Sequence, residues 1–474
     1  MQRRSRNLLF AAAILTFVVA APLVIFWARG YYLDTRRGEV VRTGMILIDT
    51  NVPRLDVTVD GQTSTTESDP VAVRGLLPGR HTVKLEREGF AAWQADLDVT
   101  AEQVTRVDNV VMVKTEPAQT TLAEGPVGAV AASPNGAYVL YVVTGGAHAG
   151  IWLHTINDGD ADRRLVAAAG LGDKVSLASV DLLRWSEDGK ATLIHAAARW
   201  WLLEPHVATP TPRALKALDS VAAANVQLDP SEPSTVFYRD ADGTVWRWKT
   251  ATKDAVPVAV ASQTIAFTVA PPKLFVLTAA GTQLTLGTYD LRQAAPTIGA
   301  VASLAGAAPA DLLVAEGGGQ VAVRAADGSL NVLQHKGGTV AFTTVATDVD
   351  AARWSPDAAL LAYRRGTEVW AYDVQPIGSD APTFLVTRLA TEPELRWYPD
   401  ARHLVVTHGD ATSTTVELLH VSRTAPLLAT LLTFAGGTSP TVDAARRGAD
   451  LLVVQVDGST RRLVSAAVTL GAGD

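Results

Sequence analysis

The stretch RWSPDAALLAYRRGTEVWAYDV, residues 353–374, contains the pattern that decides the fold. Residues 354–357 combine Ser, Pro and Asp, which favour a turn. The alternating run 360–364 predicts a strand, and residues 366–367 predict a second turn. Residues 369–374 predict a further strand, in which we interpret residues 369–372 as an inner strand. Strands joined by tight turns form a β-meander, and this stretch contains no active-site motif.

The same unit recurs, loosely, through the C-terminal three quarters of the chain. Each copy has a turn rich in Ser, Pro, Asp or Gly beside short strand-like runs. The eight copies span residues 132–156, 183–203, 226–248, 265–289, 312–333, 353–374, 395–421 and 442–468. The equivalent turn positions Ser133 and Tyr398 lie six units apart, which gives a period of about 44 residues, typical of four-stranded β-propeller blades.

The sequence therefore predicts a β-propeller over residues 116–474. It has eight blades, or seven if the weak fourth or last unit is only part of a blade. Trp185, Trp354 and Trp397 recur at equivalent places, and we expect them to pack between blades rather than to stack on a ligand. The turns in which Trp or Ser precedes Pro, Asp and Gly resemble those of WD40-like and TolB-type propellers. The resemblance implies the fold and names no ligand.

The N-terminal part begins with three arginines in residues 1–7, followed by residues 8–28, which carry no charge. About 20 apolar residues span a bilayer core, so we expect a single transmembrane anchor rather than a cleaved signal peptide. Residues 1–7 would then be a cytoplasmic head and residues 29–43 a juxtamembrane linker. Arginines flank both sides of the segment, so the orientation with the N-terminus inside and the bulk outside the cytoplasm rests on the short head.

Residues 44–115 change to short alternating runs separated by turn signals such as Asp60-Gly61 and Pro78-Gly79. The runs 45–49, 56–59, 81–85 and 93–99, with the shorter apolar run 110–113, predict a small antiparallel β-sandwich.

This segment resembles the PEGA domain, a small surface β-module. The resemblance rests on an ordered set of residues: Gly44, Ile46, Ile48, Thr50, Asn51, Pro53, Val57, Val59, Asp60, Gly61, Leu76, Pro78, Gly79, His81, Val83, Leu85, Gly89, Phe90 and Trp93. The tetrapeptide that names the family is PRLD here, at residues 53–56. The resemblance implies a binding or spacer module near the cell surface and brings no catalytic residues.

The composition narrows the possible partners. The chain has 48 acidic and 41 basic residues, so its net charge is -7. No run of basic residues lies outside the N-terminal part. A nucleic-acid partner is therefore not expected. The absence of cysteine excludes disulfides, thiolate metal sites and cysteine nucleophiles. The sequence does not indicate an oligomeric state.

A search for catalytic motifs finds no nucleophile elbow, zinc-protease helix or phosphate-binding loop. His403 and His408 lie five residues apart, which places them on opposite faces of a strand and disfavours a metal site. We therefore expect no catalytic, cofactor-binding or metal-binding residues. Arg364, Arg365 and Glu368, which the other units do not repeat, are the candidate residues for a specific surface, although a solvated blade edge also explains them.

Two functions remain open. The first is a membrane-anchored, extracytoplasmic, non-catalytic binding or scaffold protein of the cell envelope, whose propeller docks a protein, peptide or glycan. The alternative is a propeller-based hydrolase, acting on glycans or peptides with acidic residues in the central funnel.

Overall fold

The computed structural model of the 474-residue chain is almost entirely built from β-strands. The structure describes residues 13–21, 31–34, 39–67, 70–123, 125–134, 137–155, 162–167, 169–172, 175–186, 188–251, 255–293, 299–306, 308–376, 381–410, 412–423, 426–435, 441–444, 450–457 and 460–467. The chain folds into two compact units, Met1–Glu116 and Pro117–Asp474.

The predicted transmembrane helix at residues 8–28 is wrong. Within the described part of the chain, no helix is long and apolar enough to cross a membrane. The described helix covers residues 13–21. At 1.5 Å per residue, the nine described helical residues span about 14 Å, roughly half the thickness of a hydrocarbon core. Residues 8–12 and 22–28 of the predicted helix lie outside the described residues.

The first unit begins with a two-stranded hairpin, within the segment interpreted as a linker, and continues with two further sheets. Its strands are β1 (Tyr31–Asp34), β2 (Glu39–Arg42), β3 (Gly44–Thr50), β4 (Leu55–Val59), β5 (Gln62–Thr66), β6 (Val71–Leu76), β7 (Gly79–Glu86), β8 (Trp93–Val99) and β9 (Val104–Val110). The larger sheet has the order β5-β4-β7-β8 and the smaller one β6-β3-β9. Strands β3 and β9 pair in parallel, so the sandwich is not wholly antiparallel as predicted.

Buried and more exposed residues alternate along these strands, and the buried ones form the core of the first unit. Along β3 every second residue is buried, and the same is true of β8 from Trp93 to Val99. Strand β5 escaped prediction because its sequence QTSTT is polar and lies exposed at a sheet edge. At the tip between β4 and β5, Asp60 and Gly61 both have positive φ, as the tight hairpin turn requires. The Asp60 carboxylate also accepts the backbone N–H of Thr82.

The second unit is a ring of eight four-stranded sheets, counted over the described residues. A strand at its start, β10 (Ala118–Ala123), belongs to the last sheet. Blade 1 comprises β11 (Val127–Ala132), β12 (Tyr138–Val143), β13 (Gly150–Thr155) and β14 (Asp162–Ala167). Blade 2 comprises β15 (Val180–Trp185), β16 (Thr192–Ala196), β17 (Arg199–Leu203) and β18 (Arg213–Ala214). Blade 3 comprises β19 (Val226–Leu228), β20 (Thr235–Arg239), β21 (Val245–Lys249) and β22 (Val258–Ala261). Blade 4 comprises β23 (Thr264–Ala270), β24 (Lys273–Ala280), β25 (Gln283–Asp290) and β26 (Gly299–Ala305).

The remaining blades follow the same order. Blade 5 comprises β27 (Asp311–Val314), β28 (Val321–Arg324), β29 (Leu330–Lys336) and β30 (Thr339–Ala346). Blade 6 comprises β31 (Ala351–Trp354), β32 (Leu360–Arg365), β33 (Glu368–Asp373) and β34 (Thr383–Arg388). Blade 7 comprises β35 (Glu394–Trp397), β36 (His403–Gly409), β37 (Ser413–His420) and β38 (Leu428–Ala435). Blade 8 comprises β39 (Thr441–Ala444), β40 (Asp450–Asp457), β41 (Thr460–Ala467) and, as its fourth strand, β10. Short 3-10 turns lie at Leu177–Ser179, Lys216–Leu218, Ala223–Asn225 and Glu316–Gly318.

The first strand of each blade lies at the centre of the ring. First strands of adjacent blades contact one another, as β11 does with β15, β23 with β27, and β31 with β35. The ring closes where β11 of blade 1 meets β39 of blade 8, while β10 pairs antiparallel with β41. The innermost strand of blade 6 is therefore β31. The strand predicted at residues 369–374 is present as β33, but the prediction that residues 369–372 form an inner strand is wrong, because β33 is third in its sheet.

The propeller core consists of apolar layers between neighbouring blades. One buried cluster joins blades 1 and 2, another joins blades 2 and 3, and similar clusters continue to blades 6 and 7. Second strands are consequently covered on both faces. In β32, residues 360–363 are all buried, not alternately buried as the sequence pattern suggested.

Candidate ligand sites of the propeller

The recurring tryptophans join each blade to the one before it. The indole N–H of Trp185 donates to the carbonyl of Ala131 at 3.0 Å, that of Trp354 to Leu313 at 3.1 Å, and that of Trp397 to Arg353 at 2.9 Å. Each bond connects the innermost strands of two consecutive blades. The inter-blade role predicted for these tryptophans is confirmed.

The turn between the first and second strands is also repeated. In blade 6, the Ser355 hydroxyl donates to Asp357 at 2.6 Å and accepts the N–H of Leu360 at 3.0 Å. Ser186 makes the equivalent bonds to Asp188 and Ala191 in blade 2. These residues shape the turn, so Asp357 has the structural role that the repeat predicted.

Arg364 has counterparts in other blades that the sequence comparison missed. Its guanidinium donates to the carbonyl of Pro393, at the entry to the next blade, at 3.4 Å. Arg239 and Arg324 occupy the same position and donate to carbonyls at the entries to their own next blades. Arg364 is therefore partly a connector of blades, and it also pairs with Glu392 at 3.1 Å.

Arg365 and Glu368 lie together around one aromatic ring. The Arg365 guanidinium is 5.6 Å from the centre of the Trp370 ring, and the Glu368 carboxylate accepts the Trp370 indole N–H at 2.9 Å. Glu368 also pairs with Arg388 at 2.8 Å, and this hydrogen bond is the main cause that lowers the pKa of the Glu368 carboxyl. The structure thus brings two of the three candidate residues together and places Arg364 in a separate cleft.

That cleft lies between blades 6 and 7 and has a volume of about 410 Å³. Small residues, Ala351 and Ala362 among them, leave the space open, and Arg353, Arg364 and His408 supply polar groups along its wall. The cleft's carboxylates come from residues 392, 394 and 410.

Each of these carboxylates has a partner within the protein. Glu392 pairs with Arg364, and Glu394 lies 3.4 Å from Arg396. Asp410 accepts the hydroxyl and backbone N–H of Thr412 and the backbone N–H of Ser413. These bonds, the one from the Thr412 hydroxyl foremost, lower the pKa of the Asp410 carboxyl. The wall therefore presents fixed charges of both signs.

A histidine and a glutamate form a close pair beside the cleft. The Nε2 atom of His408 is 2.7 Å from the Glu417 carboxylate, whose other oxygen accepts the Thr430 hydroxyl at 3.1 Å. His403 has a different partner, Asp400, at 2.6 Å, and its ring stacks on His420. The two histidines therefore do not converge.

A second concave region opens at the centre of the ring, on the side of the turns between first and second strands. Two cavities of about 470 Å³ each share Thr268 and residues 314–316 as lining. Arg184 lines one of them, and Arg353 and Arg396 line the other. We call this region the channel mouth.

The three arginines of the channel mouth follow from one sequence signal. Each directly precedes one of the inter-blade tryptophans, giving Arg-Trp at residues 184–185, 353–354 and 396–397. Each tryptophan is fixed by its bond to the neighbouring blade, so the arginine before it lies at the same height on each of these three inner strands. The inter-blade position of the tryptophans was predictable from their recurrence. The shared position of the arginines was not, because only the closed ring brings them to one opening.

Comparison with known proteins finds a family match within the first unit. The family model described as PEGA domain matches residues 43–115. No curated protein matches the sequence significantly. Three similar solved structures are a eukaryotic initiation factor (12% identity, 76% of this chain and 91% of that chain, TM-score 0.47), the WD40 domain of SCAP from fission yeast (8%, 76% and 98%, 0.45) and the Cps50 (Swd1) β-propeller domain of Myceliophteria thermophila (9%, 73% and 98%, 0.43).

The chain therefore combines a PEGA domain with a β-propeller. The likeness to the solved structures concerns the fold alone. The propeller assignment rests on the eight sheets and on their closure through β10 and β41.

Proposed function

We propose that this protein is a non-catalytic binding or scaffold protein whose propeller docks a protein, peptide or glycan of the cell envelope. The observation that carries the proposal is the open cleft between blades 6 and 7. Its wall alternates small residues with arginines and carboxylates. Such a surface offers both hydrogen-bond donors and acceptors to a polar ligand.

The surroundings of the carboxylates favour docking over acid catalysis. A general acid of a glycosidase needs a raised pKa, so that it holds a proton at neutral pH. The pKa of Asp410 is instead lowered by its hydrogen bonds. Glu392 and Glu394 each pair with an arginine rather than standing alone in apolar surroundings.

The docking proposal is tested by filling the cleft. Ala351 lines it at the start of β31, and Ala351→Trp places a large side chain there. Ala300→Trp, on the exposed outer strand β26 of blade 4, is the matched control. We expect the full-length protein and the control to retain envelope proteins or glycans in pull-downs, and the cleft variant to lose them. Equal retention by both variants would move the docking site away from this cleft.

The hydrolase alternative is tested directly at the pair formed by His408 and Glu417. A histidine oriented by a buried carboxylate can act as a general base. The protein and its His408→Asn variant would be assayed against panels of glycans and peptides. Hydrolysis by the wild type that the variant lacks would support the alternative and contradict a purely docking role.

A further inference from the structure

We propose that the channel mouth binds an acidic segment of a partner protein through Arg184, Arg353 and Arg396. This inference rests on the proposed docking function and names a second surface and its ligand chemistry. It concerns the centre of the ring. Arg353 also lines the cleft between blades 6 and 7, whereas Arg184 and Arg396 do not.

The charge of the channel mouth is opposite in sign to that of the whole molecule. Its described lining carries three arginines and one carboxylate, that of Glu316. The complete chain has a net charge of -7. A local positive field in a concave region draws negatively charged ligands and raises their local concentration.

Two of the three arginines, Arg184 and Arg353, have no acidic ion-pair partner among the described residues. Among the described residues, Arg353 has no carboxylate within ion-pair distance, and Arg184 donates to the backbone carbonyl of Val226 rather than to an acid. Removal from water lowers the pKa of both guanidinium groups, and the neighbouring charge of Arg396 lowers that of Arg353 further. Arg353 and Arg396 both have Glu394 as their acidic neighbour. Carboxylates placed between such arginines would relieve this repulsion.

The rest of the lining suits a peptide better than a small inorganic anion. Prolines of several blades, Pro134, Pro230, Pro356 and Pro399 among them, stand around the opening. Trp354 and Trp397 are half-buried and leave part of their rings accessible. An extended segment in which acidic and apolar side chains alternate would place carboxylates on the arginines and apolar groups on these walls.

Binding is measured with a fluorescent peptide of repeating Glu-Leu-Asp-Ser sequence and its isosteric counterpart of Gln-Leu-Asn-Ser. The full-length protein should bind the acidic peptide at least about tenfold more tightly, because hydrogen bonds between charged groups exceed those between neutral ones. The affinity should fall as salt is raised. Equal affinity for the two peptides would overturn the inference.

Substitutions in the channel mouth locate the site. Arg353→Gln with Arg396→Gln should weaken binding by about tenfold or more, and Arg184→Gln, which leaves the cleft untouched, should weaken it as well. Arg388→Gln, on the outer strand of the same blade 6, is the matched control and should bind as the wild type does. Because Trp397 bonds to the backbone carbonyl of Arg353, the substitution keeps this contact between blades. Thermal unfolding verifies that each variant is folded.

Two outcomes separate this inference from the docking proposal. The inference fails if the Arg353→Gln, Arg396→Gln protein still binds the acidic peptide as the wild type does. The docking proposal would nevertheless stand if the wild type retains an envelope partner in the pull-down and the Ala351→Trp variant loses it. If tripolyphosphate binds to the arginines and the acidic peptide does not, the assigned ligand class is wrong.

Discussion

At the scale of single residues, most of the polar side chains that stand out in the sequence stabilise the blades. Asp400 is an example, because it occupies the same turn position in blade 7 as Asp357 does in blade 6. Its carboxylate accepts hydrogen bonds from the backbone N–H groups of Arg402 and His403 and from the Nδ1 atom of the His403 ring. The turn of blade 7 is thus stabilised by the hydrogen bonds that the Asp400 carboxylate accepts.

The pH dependence of stability tests this role. Burial acts to raise the pKa of Asp400, but the bonds from His403 and Arg402 outweigh it, so the pKa lies below the ordinary 3.8. The unfolded chain therefore binds this proton more readily. The stability from Asp400 is present above about pH 4 and is lost as the pH falls through the lower folded pKa.

We expect Asp400→Asn to lower the free energy of unfolding at pH 7 by about 1–3 kcal/mol, since it removes hydrogen bonds to a charged group. Thermal melts of wild type and variant should differ most at neutral pH and converge toward pH 3. Asp242→Asn, in an exposed turn, serves as the control. A difference at Asp400 that stays constant across this range would contradict the assigned cause.

Residue-level prediction from the sequence succeeded for residues of the recurring turn and failed for residues outside it. Trp354 and Asp357 were interpreted correctly because their counterparts stand at the same place in other units. Arg364 was taken as unrepeated, although Arg239 and Arg324 make the same bond to the next blade. The role of Arg353 was not predicted at all, because it depends on residues of other blades that meet Arg353 at the channel mouth.

At the scale of elements, the decisive pairing is between β10 and β41. It adds the first strand of the propeller unit to its last sheet. Backbone hydrogen bonds between β10 and β41 therefore join the two ends of the ring, in addition to side-chain packing. Without β10, β41 would present an unpaired edge. The repeats recognised in the sequence begin only at residue 132, so the closing strand β10 lies outside the eight predicted units.

Paired prolines test the closure. Successive N–H groups of a strand point in opposite directions, so Gln119→Pro with Thr120→Pro must remove at least one bond to β41. We expect the melting temperature to fall by on the order of 5 °C or more, with aggregation at the freed edge. Val258→Pro with Ala259→Pro, on the outer strand β22 of blade 3, is the matched control. Closure would have no special role if the two pairs destabilised the protein equally.

At the scale of the whole molecule, the composition and the repeat period were sufficient to predict the all-β architecture. Hydropathy was not sufficient to predict the structure of the N-terminal segment. The apolar run 8–28 satisfied the length criterion for a membrane span, whereas the described helix within it covers residues 13–21. The ligand, likewise, could not be inferred from the sequence, because the channel mouth exists only in the closed ring.

The location of the propeller outside the cytoplasm stays a prediction, and the cysteine-free chain allows a clean test. Ala147 is exposed in the turn between β12 and β13. In intact cells, Ala147→Cys should react with a thiol reagent that cannot cross membranes, to an extent that lysis does not increase. Leu193→Cys, fully buried in β16, is the unreactive control. Labelling of Ala147→Cys only after lysis would place the propeller inside.

The pairing of β10 with β41 also bears on how the protein is made. During synthesis β10 leaves the ribosome before the first seven blades and β41 leaves after them, so seven blades exist before the eighth sheet can be completed. Throughout that interval the nascent ring is open and two blade surfaces are uncovered, a state prone to aggregation. Chaperones that shield nascent chains should therefore raise the yield of this protein, and should matter most for the final few dozen residues of translation.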